Sequence, residues 1–224
     1  MRSPGRNAPY PAQRSSERAY LRNADPVLAR LIDARPDFDP RAWLAEMPPM
    51  EPFDVLVFQV VGQQLSVVAT QRILGRLRDH FGGKLPSPAE LVVADPDDVR
   101  RVGMSGRKVA TIRTLAEQFV DGRLSDESLE TMSDQQVEAR LTTIPGIGPW
   151  TVQGFLIIAL DRQDVVLPGD LALRKIIRDV YALDHLPSQD EVLRIAEAWR
   201  PYRSLATSYL FDSPSRSGRL PPGQ

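Results

Sequence analysis

The sequence predicts an all-α protein, because helix-start signals recur along it and no two neighbouring segments resemble a pair of strands. Ser87-Pro88-Ala89-Glu90, for example, places an N-cap serine, a proline at the first helical position and an acidic residue that completes a capping box. Phe53 to Val61 is apolar and β-branched enough for a strand. It has no partner of similar character nearby, so a helix that is buried on all sides is predicted there.

The later helices each have a local signal of their own. The capping box recurs at Ser133 with Gln136 and at Ser188 with Glu191. Apolar residues also recur at intervals of three and four, which is the spacing of one helix face. The positions with this spacing are Val109, Ile112, Ala116 and Phe119, then Leu173, Ile176, Ile177 and Val180, and then Val192, Ile195, Ala196 and Trp199.

The composition limits the classes of protein to consider. With 224 residues the chain can bury a sizeable core, as one domain or as two closely packed lobes. It contains no cysteine, which excludes disulfides, thiolate zinc sites and iron–sulfur clusters. No apolar run approaches the roughly 20 residues that span a bilayer, and the N-terminus lacks the apolar core of a secretory signal. A cytoplasmic protein with no membrane partner is therefore expected. The protein is also expected to be a monomer.

The net charge and the two ends of the chain restrict the class of protein little further. A net charge of −1 provides no general attraction to nucleic acid, so any contact with DNA must depend on a local surface. Residues 1–16 and 213–224 are rich in Pro, Ser, Arg and Gly, and they are predicted to be disordered tails.

The segment from Ile144 to Gly148 is typical of a tight turn between two helices. Because Gly146 and Gly148 have no side chains, backbone N–H groups here can approach a phosphate closely, aided by the positive end of the next helix. An ordinary Pro-Gly turn between two core helices explains this pattern equally well when it is taken alone. The residues that follow, Pro149-Trp150-Thr151 and then Asp170, favour the DNA-binding interpretation.

Asp170 stands between an extended segment and the predicted helix from Leu171 to Leu183. Aspartate is among the preferred N-cap residues, so a purely structural role accounts for it as well. The N-terminal end of a helix also favours an anion. A carboxylate that faces a sugar can stabilise an oxocarbenium-like transition state or orient a water molecule against it. The two roles are compatible.

Together these motifs resemble those of the helix-hairpin-helix DNA glycosylase superfamily, specifically its alkylbase branch, 3-methyladenine DNA glycosylase II. The resemblance extends from Phe53 to Phe211. The matching segments are Val61-Gly62-Gln63-Gln64-Leu65-Ser66, Gly103-Met104-Ser105-Gly106-Arg107-Lys108, Pro145-Gly146-Ile147-Gly148-Pro149-Trp150-Thr151, Pro168-Gly169-Asp170 and Trp199-Arg200-Pro201-Tyr202-Arg203-Ser204.

The resemblance implies two helical lobes, with the active site and the DNA in the cleft between them. The N-terminal β domain of some relatives is not expected here, because the sequence starts directly with helical segments. Residues 51–163 would form the lobe that contains the hairpin. Residues 17–50 and 164–212 would together form the other lobe, which carries the catalytic aspartate. No cofactor is implied for the reaction, and the implied partner is double-stranded DNA with alkylated bases.

By the same resemblance, Asp170 has the position of the catalytic aspartate. Trp150 stands where bifunctional relatives have the lysine that forms a Schiff base with the sugar, and a tryptophan cannot be that nucleophile. A monofunctional enzyme of base excision repair is therefore implied, which flips out an alkylated base, hydrolyses its N-glycosidic bond and leaves an abasic site. The Trp150 indole would stack on a cationic purine such as 3-methyladenine or 7-methylguanine. A buried core aromatic is the alternative.

The segment 63–66 resembles the loop that enters the duplex and fills the space of the flipped nucleotide, with Gln64 and Leu65 as the wedge. A polar joint between helices is the alternative. Residues 99–114 are locally basic, which favours phosphate contacts, although a solvated helix face is the commoner origin of such a run. The predicted DNA-binding residues are Gln63, Gln64, Leu65, Ser66, Arg107, Lys108, Gly146, Gly148 and Thr151.

Two residues of the predicted base pocket depart from the family pattern. Gly154 stands where relatives usually have Tyr or Met, and Phe211 where many have Trp. A smaller wall at Gly154 predicts a roomier pocket and a broad range of lesions, including N1-methyladenine and N3-methylcytosine. Family hairpins also hold a monovalent cation, Na⁺ or K⁺, through backbone carbonyls, which here would be those of Thr142, Ile144 and Gly146.

Two other functions stay open. A non-catalytic hairpin module that only binds or bends DNA also carries a Pro-Gly-x-Gly turn, but it has no reason to keep an aspartate at this spacing or a pocket tryptophan. A glycosylase for another lesion, such as an oxidised or mismatched base, is the second. The missing lysine and the missing cysteine cluster count against the bifunctional and iron–sulfur branches, but not against every monofunctional relative.

Overall fold

The computed structural model describes residues 15–39, 42 and 50–213, and these residues form α helices and short 3-10 segments but no strand, as predicted. The helices are α1 (Ser15–Ala24), α2 (Pro26–Ala34), α3 (Pro52–Gly62), α4 (Val67–His80), α5 (Pro88–Val93), α6 (Pro96–Arg101), α7 (Gly106–Val120), α8 (Asp126–Thr131), α9 (Asp134–Leu141), α10 (Pro149–Ile158), α11 (Leu171–Val180), α12 (Gln189–Ala196), the 3-10 helix (Glu197–Trp199) and α13 (Arg203–Asp212).

The chain divides into two compact units. The first is Met50–Asp161 and contains α3 to α10; the second combines Met1–Pro49 with Arg162–Gln224 and contains the other helices. We call them the hairpin unit and the aspartate unit. The boundaries that the resemblance implies, 51 and 163, lie within two residues of those found.

The hairpin unit is built around α3. This helix packs against α4, α7, α8 and α10, and all its residues except Asp54 and Gly62 are buried. Neighbours on several sides explain why the segment has no polar face, and the prediction of a buried helix is confirmed. The capping boxes predicted at Ser87 and Ser133 are also present: the serine hydroxyls accept from the backbone N–H groups of Glu90 and Gln136.

The aspartate unit is held together by a buried carboxylate, that of Asp25. Its Oδ1 accepts from the first-turn N–H groups of α2, at 2.8 Å from Val27 and 3.2 Å from Leu28. Its Oδ2 accepts from the hydroxyl of Tyr181 at 2.5 Å and from Nε1 of Trp199 at 2.9 Å. These four hydrogen bonds compensate the carboxylate for its lost hydration, and they join the N-terminal and C-terminal segments of this unit.

The predicted tails are too long at both ends. Ser15 and Ser16 begin α1, whose first turn contains the acidic Glu17 and which buries Leu21. An acid in the first turn and an anchored apolar residue both favour a helix there. At the other end, Ser213 is buried directly after α13. Residues 1–14 and 214–224, the remainder of the predicted tails, lie outside the described residues.

Candidate functional site

The predicted hairpin is present between α9 and α10. Helix α9 ends at Leu141 and α10 begins at Pro149, as the sequence indicated. Between them, two consecutive turns are closed by hydrogen bonds of 3.0 Å, from the Ile144 N–H to the Leu141 carbonyl and from the Ile147 N–H to the Ile144 carbonyl. Both isoleucines are buried, so the apolar side of the turn is anchored in the hairpin unit.

Gly146 is required by the fold of the hairpin itself. Its φ is +94°, a left-handed conformation that side chains rarely adopt, and a Cβ atom added here would lie 2.2 Å from Oγ1 of Thr111. That hydroxyl donates to the carbonyl of Pro145 at 2.9 Å, so α7 touches the turn directly. Thr111 was not singled out in the sequence, because nothing local marks a residue that is 35 positions away from the turn.

Gly148 is different, because the fold does not require a glycine there. Its φ is −112°, which any residue adopts, and an added Cβ would meet nothing within 4 Å. Gly148 is also the N-cap of α10, and as a glycine it offers no side-chain acceptor to the N–H groups of the first turn. The space and the donors suit an external anion.

The predicted wedge is placed on an exposed loop between α3 and α4. Gln64 has a φ of +60° and is exposed, and Leu65 is 42% exposed. Ser66 has a structural role: its hydroxyl accepts from the Ala69 N–H at 3.2 Å and caps α4. A non-glycine residue at positive φ is strained, and Leu65, Val67 and Val68 together expose an apolar patch, which favours a function for this loop.

Gln63 joins this loop to the hairpin. Its Nε2 donates to the carbonyl of Gly146 at 2.8 Å and to Oγ1 of Thr151 at 3.0 Å. Both of its amide N–H groups therefore form hydrogen bonds inside the protein, and the Thr151 hydroxyl accepts one of them. Contacts of Gln63 and Thr151 with DNA stay predictions, and in the structure these residues position the loop and the turn relative to each other.

Lys108 also holds this loop. Its Nζ donates to the carbonyl of Val61 at 2.7 Å and to that of Gln63 at 2.8 Å, and desolvation lowers the pKa of the ammonium. Two of its three N–H donors thus stabilise the C-terminal end of α3. Arg107, its neighbour, is exposed and forms no salt bridge with any described residue. Of the two predicted phosphate contacts, Arg107 is the one whose charge faces solvent.

Trp150 and Gly154 lie one turn apart on α10. Trp150 is half-buried, whereas Gly154 is buried. A Cβ added at Gly154 would lie 2.7 to 2.9 Å from the amide group of Gln59, on α3. The space beside Gly154 is therefore occupied by Gln59, a side chain from the neighbouring helix. The enlargement of the pocket wall at this position stays a prediction.

Asp170 is the N-cap of α11, as predicted. Its Oδ1 accepts from the Leu173 N–H at 2.8 Å, and the side chain is half-buried. The helix begins with Leu171 and ends at Val180, three residues before the predicted end. A carboxylate at this helix terminus has a fixed orientation and a favourable interaction with the helix dipole.

The segment that leads to Asp170 is fixed by α13. Asp164 accepts from Nε of Arg203 at 2.6 Å and from a terminal nitrogen of Arg200 at 3.0 Å. The Ser204 hydroxyl donates to the carbonyl of Arg162 at 2.7 Å and accepts from the Val165 N–H at 3.1 Å. The Trp-Arg-Pro-Tyr-Arg-Ser motif thus has a structural role, which no local signal in the sequence indicates.

Other predicted site features have weaker structural support. Phe211 is half-buried near the end of α13. Of the carbonyls expected to bind a cation, that of Ile144 already accepts from the Ile147 N–H and that of Gly146 from Gln63, while a carbonyl oxygen has a second lone pair. The cation therefore stays a prediction.

Within the described ranges, no helix is long and apolar enough to cross a membrane.

The sequence is similar to those of known proteins. Residues 57–201 match the family described as HhH-GPD superfamily base excision DNA repair protein. The chain is 32% identical over 194 residues to DNA-3-methyladenine glycosylase 1 of Schizosaccharomyces pombe, and this alignment covers 86% of this chain and 84% of the relative. It is 31% identical over 160 residues to a putative DNA-3-methyladenine glycosylase of Bacillus subtilis, and this alignment covers 69% of this chain and 56% of the relative.

Solved structures share the fold. The structure of the S. pombe 3-methyladenine DNA glycosylase in complex with abasic DNA has a TM-score of 0.83 and 30% identity, and the alignment covers 92% of this chain and 100% of that one. The 3-methyladenine DNA glycosylase from Archaeoglobus fulgidus has a TM-score of 0.74 over 94% of this chain and 78% of that one. Its identity is 21%, so this second likeness supports the fold alone.

Proposed function

The chain belongs to the HhH-GPD superfamily of base excision DNA repair proteins, and we propose that it is a monofunctional DNA N-glycosylase that excises alkylated purines from duplex DNA. The substrates are 3-methyladenine, 7-methylguanine and related lesions, and the product is an abasic site. The observation that carries the proposal is the carboxylate of Asp170, which the Leu173 N–H holds at the N-terminus of α11.

The reaction requires one anion and a good leaving group. Alkylation at N3 or N7 places positive charge on the purine, so the N-glycosidic bond breaks with its electron pair leaving on the base. Positive charge then develops on the sugar, and the carboxylate of Asp170 stabilises it. Water adds to the anomeric carbon and releases a proton, which completes the hydrolysis. The hydrogen bond to Leu173 holds the carboxylate in place before the reaction, so little reorganisation is needed.

Trp150 supports a glycosylase that does not cut the strand. The indole carries no nucleophilic amine, so a Schiff base with the sugar is excluded at this position. Half-buried on the first turn of α10, Trp150 offers an aromatic face on which an extruded base can stack. Stacking is strongest for a cationic base, which favours alkylated purines over normal ones.

The remaining features of the hairpin unit hold and open the duplex. Gly148 and the uncapped first turn of α10 bind a backbone phosphate without reading sequence, and Arg107 binds another. The exposed Gln64 and Leu65 enter the duplex and fill the space of the flipped nucleotide. Extrusion costs a few kcal/mol, and less at a damaged pair that is already weakened.

The test is base release from methylated duplex DNA by the wild type and by Asp170→Asn. Asparagine is also a good N-cap, so this change removes the charge and keeps the cap. Asp95→Asn is the matched control, because Asp95 caps α6 through the Asp97 N–H at 2.8 Å. We expect Asp170→Asn to lose base release by about 10² or more, while Asp95→Asn releases bases at the wild-type rate. Strand cleavage should appear only after alkali.

Other outcomes select the alternatives. If the wild type binds the duplex but releases no base from a broad panel of lesions, the chain is a non-catalytic DNA-binding module and Asp170 is only a helix cap. If it releases oxidised or mismatched bases and no alkylated ones, it is a glycosylase for another lesion. Cleavage of the strand before alkali treatment would contradict the monofunctional mechanism.

A further inference from the structure

Helix α3 contains one buried amide whose presence the core does not explain. Gln59 is 6% exposed and lies among apolar residues on both sides along α3. Its amide forms no hydrogen bond within the part of the chain that the structure describes, yet neither Oε1 nor Nε2 is fully enclosed. Burying an amide without partners is unfavourable, so an apolar residue would suit this position better in a protein that used it only for packing.

The amide of Gln59 lies at the face of α10 that carries Trp150. A Cβ added at Gly154 would lie 2.7 Å from its Nε2 and 2.8 Å from its Oε1, so the amide occupies the place of the missing side chain. Residues four apart share one face of a helix, and side chains on a helix lean toward its N-terminus. Trp150 is four residues before Gly154 in that direction. An aromatic surface and an amide with no hydrogen-bond partner among the described residues therefore border the same face.

We propose that the Gln59 amide binds the edge of the flipped base that stacks on Trp150, and that it selects N3-alkylated adenine over N7-alkylated guanine. The inference rests on the proposed glycosylase function. An adenine alkylated at N3 keeps an N7 acceptor and an N6 amino donor, which a glutamine amide binds through two hydrogen bonds. An N7-alkylated guanine has its N7 blocked and a carbonyl at position 6, so it offers this amide no such pair.

The experiment measures both lesions in one reaction. Duplex DNA treated with a methylating agent carries 3-methyladenine and 7-methylguanine together, and the released bases are separated and quantified. The initial rates give a ratio that does not depend on enzyme concentration or on the fraction of folded protein. Gln59→Leu keeps the approximate volume and removes the amide, and it should lower the ratio of 3-methyladenine to 7-methylguanine release by roughly 5- to 100-fold.

A second variant displaces the same amide by a substitution on α10. Gly154→Ala places a methyl group against the Gln59 amide, which must rotate away because its flexible end gives way more easily than the backbone. It should lower the ratio in the same direction, and Gln59→Leu combined with Gly154→Ala should lower it no further than Gln59→Leu alone. Gln118→Leu, at a half-buried glutamine of α7, is the matched control and should leave the ratio unchanged.

The outcomes separate this inference from the function on which it rests. A wild type that releases neither base contradicts the glycosylase function itself. A wild type that releases both, with a ratio that Gln59→Leu and Gly154→Ala leave unchanged or raise, overturns the role of Gln59 and leaves the glycosylase intact. Loss of both activities in equal proportion in Gln59→Leu would likewise assign the residue to packing alone.

Discussion

The ammonium of Lys108 lies 2.8 Å from the carbonyl oxygen of Gln63 and donates a hydrogen bond to it. The same nitrogen donates to the carbonyl of Val61, so a basic residue of α7 holds the end of α3 at the point where the wedge loop begins. A lysine that sequence alone assigns to a phosphate is thus engaged with the protein. Its effect on DNA binding should differ in kind from that of an exposed cation.

For Lys108→Met, we expect weaker DNA binding with an unchanged dependence on salt. The substitution keeps most of the aliphatic stem and removes the donor, which leaves two carbonyls of the loop unpaired and costs about 1–3 kcal/mol of stability. The measurement is the slope of log K against log salt concentration. A slope whose magnitude is smaller by about 0.9 would show instead that Lys108 binds a phosphate.

Arg107→Ala should behave in the opposite way. Arg107 is exposed, so its removal should leave the free energy of unfolding within about 0.5 kcal/mol of the wild type. If Arg107 neutralises one phosphate, the slope of log K against log salt concentration becomes smaller in magnitude by about 0.9. The same titrations provide the test, and an unchanged slope and affinity would remove Arg107 from the DNA-binding surface.

The two hairpin glycines should separate folding from binding. Gly146→Ala forces a side chain into a left-handed conformation, which costs about 1–2 kcal/mol before the contact with Thr111 is counted. Gly148→Ala meets no atom within 4 Å and keeps an ordinary φ, so it should cost less stability, about 0.5–1 kcal/mol, because alanine is a poorer N-cap than glycine. We nevertheless expect it to bind DNA more weakly, because its methyl group stands where the phosphate approaches.

Urea unfolding and DNA titration of both variants provide the measurement. If Gly148→Ala binds DNA as tightly as the wild type, the phosphate is held elsewhere. If Gly146→Ala is as stable as the wild type, the turn can relax and Thr111 does not constrain it.

Local signals were sufficient to predict much of this fold. The capping box of Ser87 and Glu90 and the N-cap at Asp170 each involve residues three positions apart, so the sequence contains the whole interaction. The buried helix from Phe53 could be predicted because its apolar character is continuous. The length of the N-terminal tail could not, since the helix that begins at Ser15 depends on packing as well as on composition.

The roles that sequence analysis missed all depend on residues far apart in the chain. Gly154 was predicted to widen a pocket, whereas Gln59, from a helix 95 positions earlier, fills the space beside it. Gly146 was explained by an approaching phosphate, whereas Thr111 also excludes a side chain there. Composition and spacing describe a residue and its near neighbours, and these contacts are set by how helices pack.

Asp25→Ala should be among the most destabilising single substitutions in the aspartate unit. It removes the cap of α2 and leaves the buried Nε1 of Trp199 and the hydroxyl of Tyr181 without their acceptor. Together these losses should cost about 3 kcal/mol or more. Asp95→Ala, which removes an exposed cap, should cost only about 1 kcal/mol. Urea unfolding compares the two, and equal costs would show that the buried carboxylate contributes no more than a cap.

The same carboxylate should make the protein sensitive to alkaline pH through Tyr181. Burial, and then the hydrogen bond to Asp25, raise the pKa of Tyr181. In the unfolded chain the phenol loses its proton near pH 10, while the folded protein retains it, so the unfolded state binds fewer protons above that pH. Stability is therefore unaffected by this group below about pH 10 and decreases above it, by at most about 1.4 kcal/mol per pH unit.

Tyr181→Phe should remove this part of the alkaline response. The variant has no phenol to titrate, so its free energy of unfolding should decrease less steeply above about pH 10 than that of the wild type. At neutral pH it should be about 1–2 kcal/mol less stable, because Asp25 loses one of its four donors. The two curves should then converge as the pH rises. Urea unfolding at intervals between pH 8 and 11 measures both curves, and parallel curves would show that Tyr181 loses its proton as readily in the folded protein as in the unfolded chain.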